Sequence, residues 1–517
     1  MNVNRWMVAL AVAVGVLLRL LFLENRTMHT DEAVHAVKFG KLLESGEYRY
    51  DKNEYHGPAL NYLTVVPAKI LSRESITDVD EGLLRSVPVF FGILLIPLPL
   101  LLHGLKTGAA RVAVGLTAVS PAMVFYSRYY IQEMLLVFFT FGLIVSVYLL
   151  FTTKRTIWSA AAGICAGLMH ATKETSLIAF GVIGIAGVIV LGLRHRGGRD
   201  TPTVSKRALL IAIATACCTS MLFYSSFFSN WAGVLESIET YRTYFDRAGN
   251  SAHIHPWYYY VQMLIGSQEK GGLFWNEATI VLFGILGIIF SIRRWRGGDG
   301  ADLTMFLALY AVLMFLVYSA IPYKTPWSVL GSLHGMIIMA GVGVCEMFEY
   351  VARFRWRWLA PIFLAAVFVH LGIEAYRASF VLQENPSNPY VYAQSTKDVR
   401  ELAEVIDRLS NEAPGGFAVQ VVCENDDYWP LPWYLRAIHR VGWWNSFGSD
   451  FRKAAVIVVS PGLEPALLRA LYEAPSPGQR ELYVPLVRRP IFLRPGKEIR
   501  AYVTLHLLSR TGDMRSE

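Results

Sequence analysis

Charged side chains are scarce in this sequence: they make up 17% of its 517 residues, whereas apolar residues make up 54%. This balance, with a mean hydropathy of +0.37, excludes a disordered or collagen-like chain. Cysteine is also rare. The five cysteines, four of them in apolar runs, exclude a disulfide scaffold, and none of their spacings is typical of a zinc or redox site. Internal repeats and low-complexity segments are missing as well. The composition predicts a chain that lies mostly in a lipid bilayer.

The net charge of +8 is unevenly distributed along the chain. Residues 385–517 hold 16 Lys and Arg against 15 Asp and Glu, so nearly all of the positive excess lies in residues 1–384. There the basic residues stand between apolar runs, where they indicate membrane topology. We therefore expect a membrane-lipid environment and no nucleic-acid partner.

Eleven apolar segments are candidates for transmembrane helices, because a bilayer core is crossed by roughly 17 to 25 mostly apolar residues. They are residues 6–23, 83–102, 112–127, 133–151, 157–170, 175–193, 208–228, 272–292, 303–320, 328–348 and 358–375. No small-residue cleavage site follows the first segment, so we interpret it as a retained anchor rather than a signal peptide. The expected fold class is an α-helical polytopic membrane protein with about 11 transmembrane helices.

Basic residues cluster in alternate short loops, and Lys and Arg are held on the cytoplasmic side during insertion. The pattern predicts a multi-pass protein of the cytoplasmic membrane with a cytoplasmic N-terminus. The loop 24–82 and everything after about residue 376 would then lie outside the cytoplasm. We divide the chain into a membrane domain, residues 1–384, and a C-terminal domain, residues 385–517.

The C-terminal domain has a different sequence pattern from the rest of the chain. Helical periodicity is found at residues 396–409 and 464–471, and short β-rich runs at residues 417–422, 454–458, 482–487 and 499–507. We predict a small extracytoplasmic α/β domain.

The first candidate site follows the first apolar segment. Thr30 is a plausible N-cap of a helix whose first turn contains Asp31 and Glu32. The positive end of the helix dipole favours ionised carboxylates, so at least one of the two acids is suited to act as a base at neutral pH. The alternative is that both acids only cap an amphipathic surface helix.

A second acid, Glu133, opens the fourth apolar segment on the same predicted side of the membrane. An acid at a membrane boundary either extends toward the interface or faces a polar cavity. Together with Asp31 and Glu32, it predicts carboxylates from two loops at similar depth.

These residues carry a resemblance to a known family. The order of four short motifs resembles that of GT-C glycosyltransferases of the protein O-mannosyltransferase and aminoarabinose-transferase type, glycosyltransferase family 39. The motifs are Asp31-Glu32, His56-Gly57-Pro58, Ser127-Arg128 with Glu133, and Lys173-Glu174. The likeness covers most of residues 1–380. Within this group the chain is most similar to prokaryotic flippase-associated proteins of glycosylation pathways, through the segments 323–327 and 428–434 as well.

The resemblance implies a GT-C fold and transfer of a sugar from a polyprenyl-phosphate donor to a glycan, lipid or protein acceptor on the outer face of the membrane. Asp31 falls where the family has its catalytic carboxylate, Glu32 at the adjacent acid, and Glu133 at the acid of the second loop, which is often Asp in the family. Some relatives bind a divalent metal with such acids and others need none; we predict no metal and no other cofactor.

A lipid-linked donor keeps its phosphate at headgroup depth, so the site must supply cations to the leaving phosphate. Candidates on the outer side are Arg128, Lys173 and Lys324, with His56 and Tyr323 as further binding residues. One displacement with Asp31 as general base predicts inversion at the anomeric carbon. A retaining route, which needs a second carboxylate at nucleophile distance, stays open.

Other interpretations also stay open. His29, His35 and His56 do not have a spacing specific for zinc. Arg19, inside the first apolar segment, either meets a lipid phosphate or extends to the interface. A non-catalytic accessory or flippase-associated protein that handles lipid-linked sugars is the alternative function.

Overall fold

The computed structural model describes residues 3–53, 56–248, 253–266, 271–295, 299–413, 417–447, 454–476, 478 and 480–510, and most of them are helical. The helices before residue 392 are α1 (Val3–Leu20), α2 (Thr30–Ser45), α3 (Ala59–Ile70), α4 (Glu81–Leu95), α5 (Thr107–Val119), α6 (Pro121–Ser127), α7 (Glu133–Thr153), α8 (Ile157–Thr172), α9 (Ser176–Arg196), α10 (Lys206–Tyr224), α11 (Ala232–Ala248), α12 (Tyr259–Ile265), α13 (Ala278–Arg294), α14 (Asp299–Ala320), α15 (Leu330–Val351) and α16 (Leu359–Tyr376). Helices α17 (Lys397–Glu412), α18 (Leu431–Tyr434), α19 (Glu464–Tyr472) and α20 (Leu505–Arg510) follow.

An apolar helix or helix pair occupies each of the eleven predicted segments. Among the described residues, seven helices are long and apolar enough to cross a bilayer, and the bent pair α5–α6 would make an eighth. Two further apolar helices are shorter, Trp6–Leu20 and Ile157–Thr172. The predicted multi-pass helical membrane protein is confirmed.

The chain forms two compact units. The first contains Met1–Leu23, Ser45–Ser72 and Gly82–Tyr392, and the second contains Glu24–Glu44, Arg73–Glu81 and Ala393–Glu517. The predicted outer loop is therefore divided between the two: its beginning and end belong to the unit of the C-terminal sheet, and its middle belongs to the helical unit.

In the helical unit, the span formed by α5 and α6 is broken at Ser120-Pro121 and bends by 55°. Pro121 has no N–H for the Thr117 carbonyl, and the Ala122 N–H, which would otherwise bond the Ala118 carbonyl, donates to Glu277 Oε1 at 2.8 Å. Arg19 satisfies both carbonyls, at 2.9 Å each. A break inside a membrane span is tolerated only where such groups are satisfied again.

This arrangement corrects both interpretations of Arg19. Its side chain is fully buried and also donates to Ser127 Oγ at 3.1 Å. The guanidinium therefore neither meets a lipid phosphate nor extends to the interface, because its N–H groups stabilise the broken helix.

The second unit contains a six-stranded sheet. Its strands are β1 (Val419–Val422), β2 (Val441–Trp444), β3 (Val456–Val459), β4 (Tyr483–Pro485), β5 (Ile491–Arg494) and β6 (Lys497–Thr504). The order is β2-β1-β3-β6-β4, with β5 also paired to β6. Strands β1, β2 and β3 are parallel, with Val419 opposite Val441 and Val456, whereas β6 runs antiparallel to β3, β4 and β5. Helix α17 contributes Leu402 and Ile406 to the core.

The predicted small α/β domain is confirmed, since the two predicted helices and four predicted strands all form. The sequence did not reveal β2 and β5. Strand β2 is only partly buried and contains Gly442 and two tryptophans, so it lacks the apolar alternation that identifies a strand.

Long-range hydrogen bonds explain why residues 24–44 and 73–81 belong to this second unit. The Met28 N–H donates to the Tyr434 hydroxyl at 2.8 Å, and the buried Trp433 donates from Nε1 to Glu81 Oε1 at 3.0 Å. Arg436 donates to the carbonyls of Ile76 at 3.2 Å and Val79 at 2.9 Å. The aromatic segment 428–434 thus has a packing role.

Candidate functional site

The start of α2 is built by reciprocal capping. The Asp31 N–H donates to His29 Nδ1 at 3.1 Å, and the His29 N–H donates to Glu32 Oε2 at 2.9 Å. This is the logic of a capping box with histidine as the N-cap residue. The prediction that Thr30 is the N-cap is wrong: the helix begins at Thr30, whose buried Oγ1 has no hydrogen-bond partner among the described residues.

The two neighbouring acids have opposite environments. Glu32 is fully buried, and its Oε1 accepts a hydrogen bond from Arg26 Nη2 at 2.9 Å. The Asp31 side chain is 46% exposed, and its Oδ2 atom lies 3.8 Å from His29 Nδ1. Asp31 is therefore the acid available to a reacting group, and Glu32 holds the helix start in place.

Glu133 and Lys173 form an ion pair in the helical unit. Glu133 stands in the first turn of α7, and Lys173 follows the C-terminus of α8. The Lys173 ammonium contacts Glu133 Oε1, and both side chains are largely buried. They line a narrow cavity of about 30 Å³ together with Tyr318 and Trp327. This volume admits about one water molecule, and the cavity has polar partners for it.

Next to this pair, Glu174 Oε2 lies 2.8 Å from His56 Nδ1. Burial alone would raise the pKa of Glu174, but the neighbouring His56 and Lys173 outweigh it and the pKa lies below its ordinary value. Gly57 makes the approach possible: a Cβ atom there would lie 2.1 Å from the Ala171 carbonyl oxygen. The sequence-predicted residues His56, Glu133, Lys173 and Glu174 are thus brought together in one unit.

The other two predicted cations are engaged at helix ends. Arg128 donates from Nη1 to the carbonyls of Arg19 at 3.1 Å and Leu21 at 2.6 Å, and from Nη2 to that of Phe22 at 3.1 Å. This neutralises the negative end of the α1 dipole.

Lys324 is 1% exposed and donates to the carbonyls of His255, at 3.1 Å, and Ile321, just past α14. Its burial lowers its pKa. Tyr323 packs edge-on against His253, with ring centroids 5.5 Å apart. Of the three predicted cations, Lys173 is the one that lines the cavity beside Glu133. The proposed contacts of Arg128 and Lys324 with a phosphate stay predictions.

Three contributors to these sites were missed from the sequence. Arg26 pairs with Glu32, and His29 is the N-cap of α2. Glu277 is fully buried and also accepts from Ser120 Oγ at 2.8 Å. An acid inside a predicted span was a usable signal for Glu277, because such residues are costly and tend to be functional or structural. Within the ranges that the structure describes, no three His, Cys, Asp or Glu side chains come together as metal ligands. The absence of a metal stays a prediction.

Comparisons with known proteins show what the chain is similar to. Residues 38–222 match a family model described as dolichyl-phosphate-mannose-protein mannosyltransferase. The fold is similar to that of ArnT from Cupriavidus metallidurans in the apo state, with a TM-score of 0.66 and 14% sequence identity over 97% of this chain and 98% of that one. The predicted resemblance is confirmed: residues 38–222 match the family model, and the chain has the predicted GT-C fold, shared with ArnT.

Two more structures illustrate the relationship. ArnT from the same organism bound to undecaprenyl phosphate matches with a TM-score of 0.62 and 14% identity over 96% of this chain and 97% of that chain. The Archaeoglobus fulgidus oligosaccharyltransferase in the apo form matches with a TM-score of 0.55 and 14% identity over 89% of this chain and 70% of that chain. No curated protein matches the chain by sequence.

Proposed function

We propose that this protein transfers a sugar from a polyprenyl-phosphate carrier to an acceptor, with Asp31 as the general base. The observation that carries the proposal is the contrast at the start of α2. Glu32 is buried and paired, whereas the Asp31 carboxylate is 46% exposed and has no hydrogen-bonding partner of its own among the described residues. An exposed carboxylate in the first turn of a helix is accessible to an acceptor hydroxyl, as a general base must be.

The donor class is supported by the relatives. One similar structure of ArnT holds undecaprenyl phosphate, and an archaeal oligosaccharyltransferase with a TM-score of 0.53 is in complex with an inhibitory peptide and a dolichol-phosphate. The matching family model is named for a dolichyl-phosphate-mannose donor and a protein acceptor. For this chain we infer a lipid-phosphate sugar donor.

Lys173 is our candidate for the cation that meets the leaving phosphate. In the structure its ammonium is paired with Glu133, so it is held in a fixed position beside the cavity. A positive charge held in a fixed position stabilises a developing anion better than reorganising water does.

The proposed reaction is a single displacement. The acceptor hydroxyl oxygen forms a bond to the anomeric carbon as the bond from that carbon to the phosphate oxygen breaks. Asp31 takes the hydroxyl proton, and polyprenyl phosphate leaves with the bonding electron pair. The configuration at the anomeric carbon is inverted, since attack and departure occur on opposite faces.

The test is a transfer assay on the purified full-length protein with candidate polyprenyl-phosphate sugars. Asp31→Asn should lower transfer by about 100-fold or more, the usual scale for losing an acid–base group, with unchanged expression and melting temperature. Asp51→Asn is the matched control: Asp51 is another acid of the same predicted loop and its Oδ1 accepts the Asn53 N–H, so this variant should transfer like the wild type.

Undiminished transfer by Asp31→Asn would end the assignment. No transfer by the wild type with any donor that it binds would instead favour a non-catalytic accessory. A product that keeps the anomeric configuration of the donor, determined by NMR, would replace the single displacement by a retaining route.

We further propose that the protein lies in the cytoplasmic membrane with the second unit outside the cytoplasm. The support is the alternation of basic residues in the loops between the apolar segments. An alkaline phosphatase fused after Glu517 should be active in cells, and an inactive fusion alongside good expression would refute this orientation.

A further inference from the structure

We propose that the helical unit has a second anion site, at the ends of its helices remote from Glu133 and Lys173, which binds a phosphate group at lipid-headgroup depth. This proposal goes beyond the proposed transfer function and does not depend on it. It rests on a cavity between the ends of four helical segments.

The cavity has a volume of about 580 Å³ and lies between the segment before α5, the end of α13, the start of α14 and the last turns of α15. This size is within the range of about 300–1,000 Å³ that small-molecule sites occupy. Helix α15 connects it to the first site: Leu330 lines the cavity beside Glu133, and Glu346, sixteen residues later, lines this one. At 1.5 Å per residue the two are about 24 Å apart, so they are separate sites.

The charge of its wall favours an anion. Three cations line the cavity, Lys106, Arg293 and Arg294, against one carboxylate, that of Glu346. The buried Glu346 holds two of the cations in place: it accepts from Lys106 Nζ at 2.8 Å and from Arg294 Nη1 at 2.7 Å. Lys106 also pairs with Glu349 at 2.6 Å, which still leaves a net positive charge of one in the group.

Arg293 is the cation without a partner. It is exposed, lines the cavity, and makes no ion pair or hydrogen bond with its side chain to any residue in the described part of the chain. A guanidinium offers a planar fork of N–H donors that fits two oxygens of one phosphate. We therefore assign it the direct contact to the anion.

The backbone of α14 adds donors to the same wall. Gly300, Ala301 and Thr304 line the cavity, so the N-terminal turns of this 22-residue helix and the positive end of its dipole lie at the cavity wall. Gly300 allows the start of α14 to approach Gly104 closely, since a Cβ atom on Gly300 would lie 3.0 Å from the Gly104 carbonyl oxygen.

The depth of the cavity points to a headgroup phosphate. The lining residues stand at the ends of apolar helices, and the tryptophans that follow α15, Trp356 and Trp358, are more than half exposed, as is typical of the membrane interface. Basic pockets between transmembrane helices at this depth bind anionic lipid headgroups. A free phosphate anion has the same chemistry, and the experiment distinguishes the two sources.

The experiment measures lipid binding to the full-length protein in detergent by native mass spectrometry. The probes are phosphatidylglycerol, phosphatidylcholine and inorganic phosphate. We expect the wild type to bind one phosphatidylglycerol more tightly than phosphatidylcholine. Arg293→Gln should bind phosphatidylglycerol about five-fold more weakly than the wild type, because one cation near a membrane surface contributes about a factor of five. Arg293→Glu, which changes the charge by two, should bind it about 25-fold more weakly. Arg353→Gln, an exposed basic residue outside the cavity, is the matched control and should bind like the wild type.

Millimolar inorganic phosphate separates the sources. If phosphate fails to displace the lipid, the ligand is a headgroup; if it displaces the lipid and raises the melting temperature of the wild type but not of Arg293→Gln, the ligand is a free phosphate. Equal binding of every probe to the wild type, Arg293→Gln and Arg353→Gln would overturn the proposal. Transfer activity does not enter this readout, so the failure of either proposal is recognisable without the other.

Discussion

Replacing Arg19 by Met tests the account of the broken span between α5 and α6. Methionine keeps an unbranched apolar stem, although it is shorter than arginine, and it removes every N–H donor. The carbonyls of Thr117 and Ala118, both 2.9 Å from the guanidinium, then lose their donors. The helix cannot replace them, because Pro121 lacks an N–H and the Ala122 N–H is bonded to Glu277.

The expected loss follows from those two carbonyls. A buried polar group left without its partner costs about 1–3 kcal/mol, which gives about 2–6 kcal/mol for the pair. Hydrogen bonds between membrane helices are weaker on average, about 0.6 kcal/mol each, so we expect a loss of unfolding free energy near the lower end, about 2–3 kcal/mol.

The assay is unfolding of the purified protein in mixed micelles with increasing denaturing detergent. Arg155→Met is the matched control, because Arg155 is exposed in the loop between α7 and α8, and it should unfold within about 0.5 kcal/mol of the wild type. Glu277→Gln should lose less than Arg19→Met, since the amide oxygen still accepts the Ala122 N–H. An Arg19→Met protein as stable as the Arg155→Met control would refute the reasoning.

Two further predictions concern the cluster around Glu174. Gly57→Ala should lower both the melting temperature and the transfer rate, because the added Cβ would lie 2.1 Å from the Ala171 carbonyl oxygen and push His56 away from Glu174. The control is Gly181→Ala, which has nothing within 4 Å of the added atom and should behave like the wild type. Equal melting temperatures of the two variants would contradict this prediction. The lowered pKa of Glu174 means that its ionised form stabilises the fold above its ordinary pKa of 4.5 and that this stabilisation is lost as the pH falls through the lower, folded value. Between pH 6 and about pH 3.5, the melting temperature of Glu174→Gln should therefore fall by less than that of the wild type. Parallel curves of melting temperature against pH for the two proteins would show that Glu174 does not contribute to the pH dependence of stability.

Much of the architecture was predictable because its signals are local. The apolar segments identified the membrane helices, and helical and alternating patterns identified α17, α19 and four strands of the sheet. Strands β2 and β5 escaped, since a short, partly buried strand has no clear alternation. The relation of residues 24–44 and 73–81 to the C-terminal sheet also escaped, because it depends on contacts such as that between Trp433 and Glu81, 352 residues apart.

The candidate site shows the same division. The sequence brought attention to Asp31, Glu32, Glu133 and Lys173, since acids in a first helical turn and charges beside apolar segments are visible without a structure. It treated Arg128, Lys173 and Lys324 as equals, although two of them donate to carbonyls at helix ends. Those carbonyls belong to segments distant in sequence, and no local pattern reports them.

By itself, the sequence determined that this chain crosses a membrane many times, carries an α/β domain at its C-terminus, and places carboxylates at two helix starts. Hydropathy, periodicity and capping depend on residues only a few positions apart, so they can be read along the chain. The tertiary structure decided that Glu32 is buried in the second unit and paired with Arg26 while the Asp31 side chain stays half exposed, and that Arg19 stabilises a broken helix. Burial and pairing depend on which distant segments meet in space, and these are fixed only when the chain has folded.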